Sequence, residues 1–325
     1  MKSQLAARCL AAALMALGLA GAAAAQDAYP SKQIRFIVPY AAGGFPDTVA
    51  RIAAQHMQER IRQPVVIENR PGGNGGVAAT ALAQSGADGY TFMVSDGSIL
   101  SVNPLLYSKL TYDPVKDFVP VALLARAPLF LAVHPNVPVN SFRAFIDYAR
   151  ANPGKLNYGS SGIGSTHHLS MEALKVAYKL DMTHIPYRGT GQSVPALVGG
   201  QVELLFSAYP SLGGFVREGR IKLLATNGAE RSPQASDLPA IAESVPGFDY
   251  APIVGILAPA GTPPGPIQKI AAEALAAVRL PEAQKQYAAA GIEPLFGGPE
   301  AYDKAIKAEN ARYAEAVKLA GIKPE

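Results

Sequence analysis

Short runs of wholly apolar residues recur along this chain, each ended by a glycine-rich or polar turn and followed by a stretch with helical spacing. Residues 34–38 precede a helix expected over 48–61, and residues 65–67 precede one over 76–84. Residues 90–94 run into Ser95-Asp96-Gly97-Ser98, with Pro64 and Pro71 as punctuation. Strands that are apolar throughout, rather than alternating, are covered on both faces, which predicts parallel or mixed sheets between helices.

A second series follows residues 119–133. Ser141 reads as the N-cap of a helix to Ala149, stopped by Asn152-Pro153-Gly154. Residues 156–158 lead into Gly159-Ser160-Ser161-Gly162-Ile163-Gly164-Ser165-Thr166 and a helix from His167 to about Lys179. Residues 183–185 lead into Pro186-Tyr187-Arg188-Gly189-Thr190-Gly191 and a helix around 193–197, and residues 202–206 into Ser207-Ala208-Tyr209-Pro210. Residues 221–225 close the set. Beyond Pro259-Ala260-Gly261-Thr262-Pro263-Pro264 the strands are expected to give way to packing helices. Residues 267–278 carry an apolar stripe at Ile267, Ile270, Ala274, Leu275 and Val278, and residues 301–319 carry alternating charges on an outer face.

This rhythm predicts an α/β chain of two lobes, each a mixed sheet flanked by helices. The crossings are expected near 119–133 and 221–228 and act as a hinge of two strands. The first lobe would comprise residues 26–125 and 229–325, and the second 126–228. Ligands of open α/β sheets sit at the carboxyl ends of the strands, where every turn quoted above lies.

The start of the chain stands apart. Lys2 and Arg8, an apolar run over 9–20 and Ala23-Ala24-Ala25 form a signal peptide over residues 1–25, cleaved before Gln26 and directing export to the periplasm. A membrane anchor fits less well, because the run is short and ends in small residues. Cys9 is the only cysteine, so the mature chain has neither a disulfide nor a thiol nucleophile. The 29 basic and 25 acidic residues of the full sequence give +4, and loss of the leader's Lys2 and Arg8 leaves the mature chain near +2. The basic residues are dispersed, which excludes a nucleic-acid footprint.

The candidate chemistry centres on 38–51. A strand enters a turn with Gly43 and Gly44 and then a helix, so free N–H groups at the positive end of a helix dipole are ready for a small anion. Asp47 reads as a helix-start residue satisfying N–H groups, with the ligand touching the backbone nearby. Ser160, Ser161, Ser165 and Thr166 crowd hydroxyls before a second helix where one cap would suffice. Three rival readings are weaker. Gly73-x-Gly75-x-x-Ala78 looks like a dinucleotide fingerprint, with Asp96 as the acid, but it follows the second strand. A serine hydrolase could use Ser161 or Ser165 with His167 or His168, but no Gly-x-Ser-x-Gly elbow occurs. The five histidines lack metal-ligand spacing. No cofactor or metal is expected.

Several segments resemble one family in a single order across nearly the whole mature chain. They include Pro30 to Lys32, Ala42-Gly43-Gly44-x-x-Asp47 with Ala50-Arg51, and Val65-Val66-Ile67-Glu68-Asn69-Arg70-Pro71-Gly72-Gly73-Asn74-Gly75-Gly76. Further on come Asn157-Tyr158-Gly159-Ser160-Ser161-Gly162 with Ser165-Thr166-His167, Pro186-Tyr187-Arg188-Gly189, Gly199-Gly200-Gln201-Val202 and Ala258-Pro259-Ala260-Gly261-Thr262-Pro263. The chain is similar to the periplasmic solute-binding proteins of tripartite tricarboxylate transporters, the Bug or TctC family. The resemblance implies a monomeric, non-enzymatic Venus-flytrap protein that closes on a small organic acid, a mono- or dicarboxylate, and passes it to membrane permease subunits. Carried over, the ligand residues are Gly43, Gly44 and Asp47 on one side, where the strand-end rule adds Ser95 and Asp96. On the other are Ser160, Ser161, Gly164, Ser165, Thr166 and His167, with Thr190 beyond them. Two positions depart from the family pattern. Phe45 replaces a small residue, and either shapes the pocket or packs on the helix. Ser207 stands where many members carry Asp, which argues against an amino-acid ligand. The absence of a Trp near Pro252 and Ile253 leaves the packing beside the hinge to other residues.

Overall fold

The computed structural model of the chain describes residues 29–319 and 321–322; the expected leader, its cleavage point and Cys9 lie outside the described residues. Chain order begins β1 (Ile34–Val38), α1 (Phe45–Ile61), β2 (Val65–Asn69), α2 (Gly76–Ala83), β3 (Thr91–Asp96), two short helices α3 (Ser98–Ser101) and α4 (Asn103–Leu106), and β4 (Phe118–Arg126). It continues with β5 (Leu129–Val133), α5 (Phe142–Ala151), β6 (Asn157–Ser160), α6 (Thr166–Tyr178), β7 (Thr183–Pro186), α7 (Thr190–Val198), β8 (Leu204–Ala208), α8 (Tyr209–Arg217) and β9 (Lys222–Thr226). It ends with β10 (Ile253–Pro259), α9 (Pro264–Val278), α10 (Pro281–Ala289), β11 (Glu293–Gly297) and α11 (Pro299–Leu319).

Two mixed sheets result, in the orders β11-β4-β10-β3-β1-β2 and β7-β6-β8-β5-β9. In the first, β1 runs parallel to β2 and β3, and β10 runs antiparallel between β3 and β4. In the second, β6 runs parallel to β7 and β8, and β5 runs antiparallel between β8 and β9. The inner apolar runs are buried on both faces as their composition predicts, whereas β2 and β7, at the sheet edges, are not, and Val66 is 43% exposed. Phe36 and Val38 pack with Ala50 and Ala53 of α1 and Ile270 of α9, while Ile37 packs on the opposite side with Ala78 and Leu82 of α2 and Ile306 of α11. Around the second sheet, Leu131 and Phe206 meet α5 and α6, and Phe130 and Leu205 meet α7 and α8.

The segment 119–133 is two strands, broken at Ala127-Pro128 where the chain passes between sheets. It returns before β10, and the two crossings are laced together. Ala127 N–H donates to the Pro252 carbonyl at 3.0 Å, and Tyr250 N–H donates to that of Asn227 at 2.9 Å. Rings of Phe248, Tyr250 and Tyr313 fill the space beside them. A separate apolar cluster joins the lobes, formed by Val102 and Leu106, Leu169 of α6, and Tyr313 and Val317 of α11.

Three local expectations are corrected. The tail contains a strand, β11, whose Pro294 is tolerated because β11 pairs only with β4 at a sheet edge. Ser95 and Asp96 end β3 rather than forming a loop. Helix α1 begins at Phe45, earlier than residue 48, because Pro46 suits a first helical turn that needs no donor there.

Candidate functional site

The turn before α1 is built around Asp47, a carboxylate only 1% exposed. One of its oxygens accepts the Gly43 N–H at 2.8 Å and Arg51 Nε at 2.8 Å; the other accepts Asn69 Nδ2 at 2.8 Å. Burial alone would push this carboxyl up, but the bonds from Arg51, Gly43 and Asn69 outweigh it and hold it below its ordinary value. Asp47 therefore reaches back into the turn instead of capping helix N–H groups as expected. The N-cap is Gly44, without a side-chain cap. Gly43 sits at φ +85°, where a Cβ is strained. With Pro46 lacking a donor and Thr48 N–H bonded to Gly44, the Phe45 and Asp47 N–H groups have no acceptor among the described residues. Phe45 itself packs, half-buried, against the first-lobe core.

This turn is tied to the end of β3. Tyr40 Oη donates to Asp96 Oδ1 at 2.8 Å, and the same oxygen accepts the Ser98 N–H. Burial pushes both Tyr40 and Asp96 up. Ser95 is fully buried, its hydroxyl turned onto the Asp96 carbonyl at 2.8 Å. Of the glycines in the supposed dinucleotide motif, Gly75 serves close packing, since a Cβ there would lie 2.7 Å from Ile99 and 3.2 Å from Pro39, and Gly73 serves the turn at φ +56°.

In the second lobe the expected surplus of hydroxyls is largely spent on the loop itself. Ser160 Oγ bonds Gly162 and lies 2.7 Å from His184 Nε2. Ser165 caps α6 by accepting the His168 N–H and donates to the Gly162 carbonyl at 2.7 Å. Ser161 Oγ lies 2.6 Å from His167 Nδ1, whose ring burial lowers to about 4. That contact is the dyad a hydrolase needs, yet no carboxylate bonds His167 among the described residues. Thr166 and His167 at the start of α6, and Thr190 and Gly191 at the start of α7, have N–H groups without acceptors among the described residues. Ser207, at the end of β8, is fully buried and its hydroxyl has no partner among the described residues.

Gly164 marks where the lobes touch. A Cβ there would stand 1.8 Å from Leu106 Cδ1 and 3.6 Å from Val102 Cγ1. A continuous line of contact thus runs from Tyr40 through Asp96 and α3–α4 to the loop of the second lobe. Sequence reasoning missed Tyr40, Leu106 and Glu309. Glu309 of α11 is 2% exposed, accepts from Ser101 Oγ at 3.2 Å, and is pushed up to about 8 by burial and by Asp96. It falls within the buried stripe of Tyr302, Ile306, Tyr313 and Ala316, so its helical spacing was a usable signal. A cavity of about 710 Å³ between α5 and residues 237–244 lies away from these strand ends. Among the described residues no cluster of three or more His, Cys, Asp or Glu could hold a metal, and no helix is long and apolar enough to cross a membrane.

Comparison with known proteins follows the same geometry. The family described as tripartite tricarboxylate transporter family receptor matches residues 49–322. BugT of Bordetella pertussis is 32% identical over 299 residues, covering 91% of this chain and 92% of its own. Rpa4515 of R. palustris, solved with adipate, superposes with a TM-score of 0.82 at 36% identity, over 91% of this chain and all of its own. MatC of Rhodopseudomonas palustris, solved with bound malate, gives 0.76 at 31% identity, over 89% of this chain and all of its own. The architecture is that of two-lobed periplasmic binding proteins, and the relatives are receptors rather than hydrolases. By sequence and by fold, the chain belongs to the receptor family of the tripartite tricarboxylate transporters, the TctC or Bug proteins.

Proposed function

We propose that this receptor works outside the cytoplasm as a monomer. It closes two lobes on a small mono- or dicarboxylate and delivers it to the membrane permease subunits of a tripartite transporter. The observation that supports this most directly is the contact line joining the two strand-end turns: Tyr40 to Asp96, then α3–α4, then Leu106 against Gly164. Helices α1, α6 and α7 each open with N–H groups that no acceptor among the described residues uses, which suits an anion. The adipate and malate held by Rpa4515 and MatC are dicarboxylates, which favours the same class here.

In this reading Gly43 and Gly44 shape the first jaw, Asp47 fixes it, and Ser95 and Asp96 support it through Tyr40. Ser160, Ser161, Ser165, Thr166 and His167 form the second jaw, with Thr190 beside it. The unpartnered Ser207 hydroxyl is suited to a further polar group of the ligand rather than to an ammonium. Residues as far as Phe248 are counted with the second lobe, because Ile241 and Phe248 pack into its core. Ligand bridging both jaws favours the closed arrangement through contacts that the open one lacks. A thermal-shift panel of carboxylates on the mature chain tests the reading. At least one acid is expected to raise the melting temperature and contract the particle in small-angle scattering. If every carboxylate leaves both unchanged, the reading is wrong.

A further inference from the structure

Beneath the loop of the second lobe lie three stacked rings. His168 of α6 and His184 of β7 are 3.9 Å apart at their centroids and 9° from parallel, and Tyr158 of β6 lies 4.8 Å beyond His184 at 16°. Each histidine holds one part of the loop. Ser160 Oγ is bonded to His184 Nε2 at 2.7 Å, and the Gly164 N–H donates to His168 Nδ1 at 3.1 Å. The second bond fixes a protonation state, because a ring nitrogen that accepts carries no proton and an imidazolium has no acceptor at all. Protonated, His168 could not hold Gly164, the residue that meets Leu106 of the other lobe. A second charge on His184 would lie directly against the first.

The one facing carboxylate is already engaged elsewhere. Glu172 of α6 is bonded by the Tyr158 hydroxyl and paired with Lys175 Nζ at 2.7 Å, and Lys175 also lies over the Tyr158 ring. Tyr158 from β6, His184 from β7, and Glu172 and Lys175 from α6 are thus the titratable groups facing the pair. Leu106 and Val102, which cross from the other lobe, bring no charge. Burial lowers both rings to about 4; Lys175 adds to this at His168, and at His184 the charges of His168 and Lys175 add to it while Glu172 opposes it. We propose that His168 and His184 are positioning residues. As a neutral stacked pair they hold Ser160 and Gly164 in the form that receives the ligand, and acid releases the loop. This rests on the reading of that loop as a ligand jaw.

The sign follows from the two protonation states. Folded His168 and His184 bind fewer protons than their unfolded forms, so their contribution is full above the ordinary 6.5 and is lost as pH falls to about 4. Heteronuclear NMR of the full mature chain between about pH 7 and pH 3.5 would follow the histidine ring nitrogens and the Gly164 amide. Calorimetry with adipate would be run alongside. The Gly164 amide is expected to move with the midpoint of His168. Adipate affinity should fall about tenfold more in the native chain than in the His168→Asn, His184→Gln double variant, which keeps acceptors but cannot titrate. His168→Phe, which keeps a ring without the acceptor, should free the Gly164 amide at every pH. An amide unmoved while the rings titrate, or an unchanged pH profile in the double variant, overturns the proposal. If that variant does not fold, the coupling of ring to amide in the native chain decides. If no acid of the carboxylate panel binds at any pH while the coupling is intact, the carboxylate reading fails and the hold of the two histidines on the loop stands.

Discussion

In the first lobe, the turn before α1 is fixed by a charge, the Asp47 carboxylate that Arg51, Asn69 and Gly43 share. In the second, the turn before α6 is fixed by neutral rings, with His168 and His184 taking the parts played by the carboxylate. Both arrangements avoid a net charge at the cleft. Asp47 would repel an anion if it stood alone, but Arg51 neutralises it from a position 52% exposed. The histidines add no charge because burial keeps them unprotonated near neutral pH. On the proposed reading, attraction of an anion falls to helix N–H groups whose directions are set by the backbone, so fit would count for more than charge. The difference lies in what each jaw fears. The first fails when its network is cut, and the second when it gains protons.

The largest effect should come from cutting that network. Asp47→Ala strands the Gly43 N–H and the Asn69 amide in a buried turn, at a cost of about 3 kcal/mol, while half-exposed Arg51 remains solvated. Denaturant unfolding measures this. A loss under about 1 kcal/mol would mean that other contacts hold the turn, and the comparison between charged and neutral jaws would collapse.

The hinge between the jaws offers a sharper contrast, a carboxyl that is kept neutral. Glu309 rises from its ordinary 4.5 to about 8 because it is buried and faces Asp96. The folded chain therefore holds a proton that the unfolded chain releases, so stability is full below 4.5 and declines as pH rises to about 8. Glu309→Gln should remove about 2 kcal/mol of the decline between about pH 5 and pH 7. If both proteins show the same pH slope, Glu309 is not the group that titrates. The unpartnered hydroxyls of Tyr302 and Tyr313 mark the same buried region.

The sheets were legible because their strands are apolar runs closed by glycine and proline, and burial on both faces demands that composition. The site was legible only as far as its local turns. That Gly43, Gly44 and the Ser160 to Thr166 loop precede helix starts can be read from neighbours in sequence. That Asp47 bonds backward to Gly43 depends on Asn69, which arrives from β2, and no local pattern reveals it. The hydroxyl-rich loop was read as a surplus of ligand donors, yet Ser160 and Ser165 are bonded within the loop and to His184. Gly164 reads from the sequence as a ligand residue, while its clearest contact is Leu106 of the opposite lobe. Glu309 was hidden among the many charges of α11, although the buried stripe runs through it.

The smallest expected change in stability falls at Phe45, where the two jaws differ in bulk rather than charge. Its ring packs on the first-lobe core but stays partly exposed beside the free N–H groups that open α1. Phe45→Ala removes part of that packing, at about 1.5 kcal/mol, and leaves the Asp47 network untouched. If the ring bounds the cleft, the variant should accept longer or bulkier dicarboxylates, and the ratio of malate to adipate affinity should shift. A binding panel run well below the melting temperature separates that shift from simple loosening of the fold. An unchanged ratio, with the same loss of stability, would make Phe45 a core residue that happens to sit at the edge. Selectivity would then have to arise in the second jaw, where Ser207 is buried without a partner.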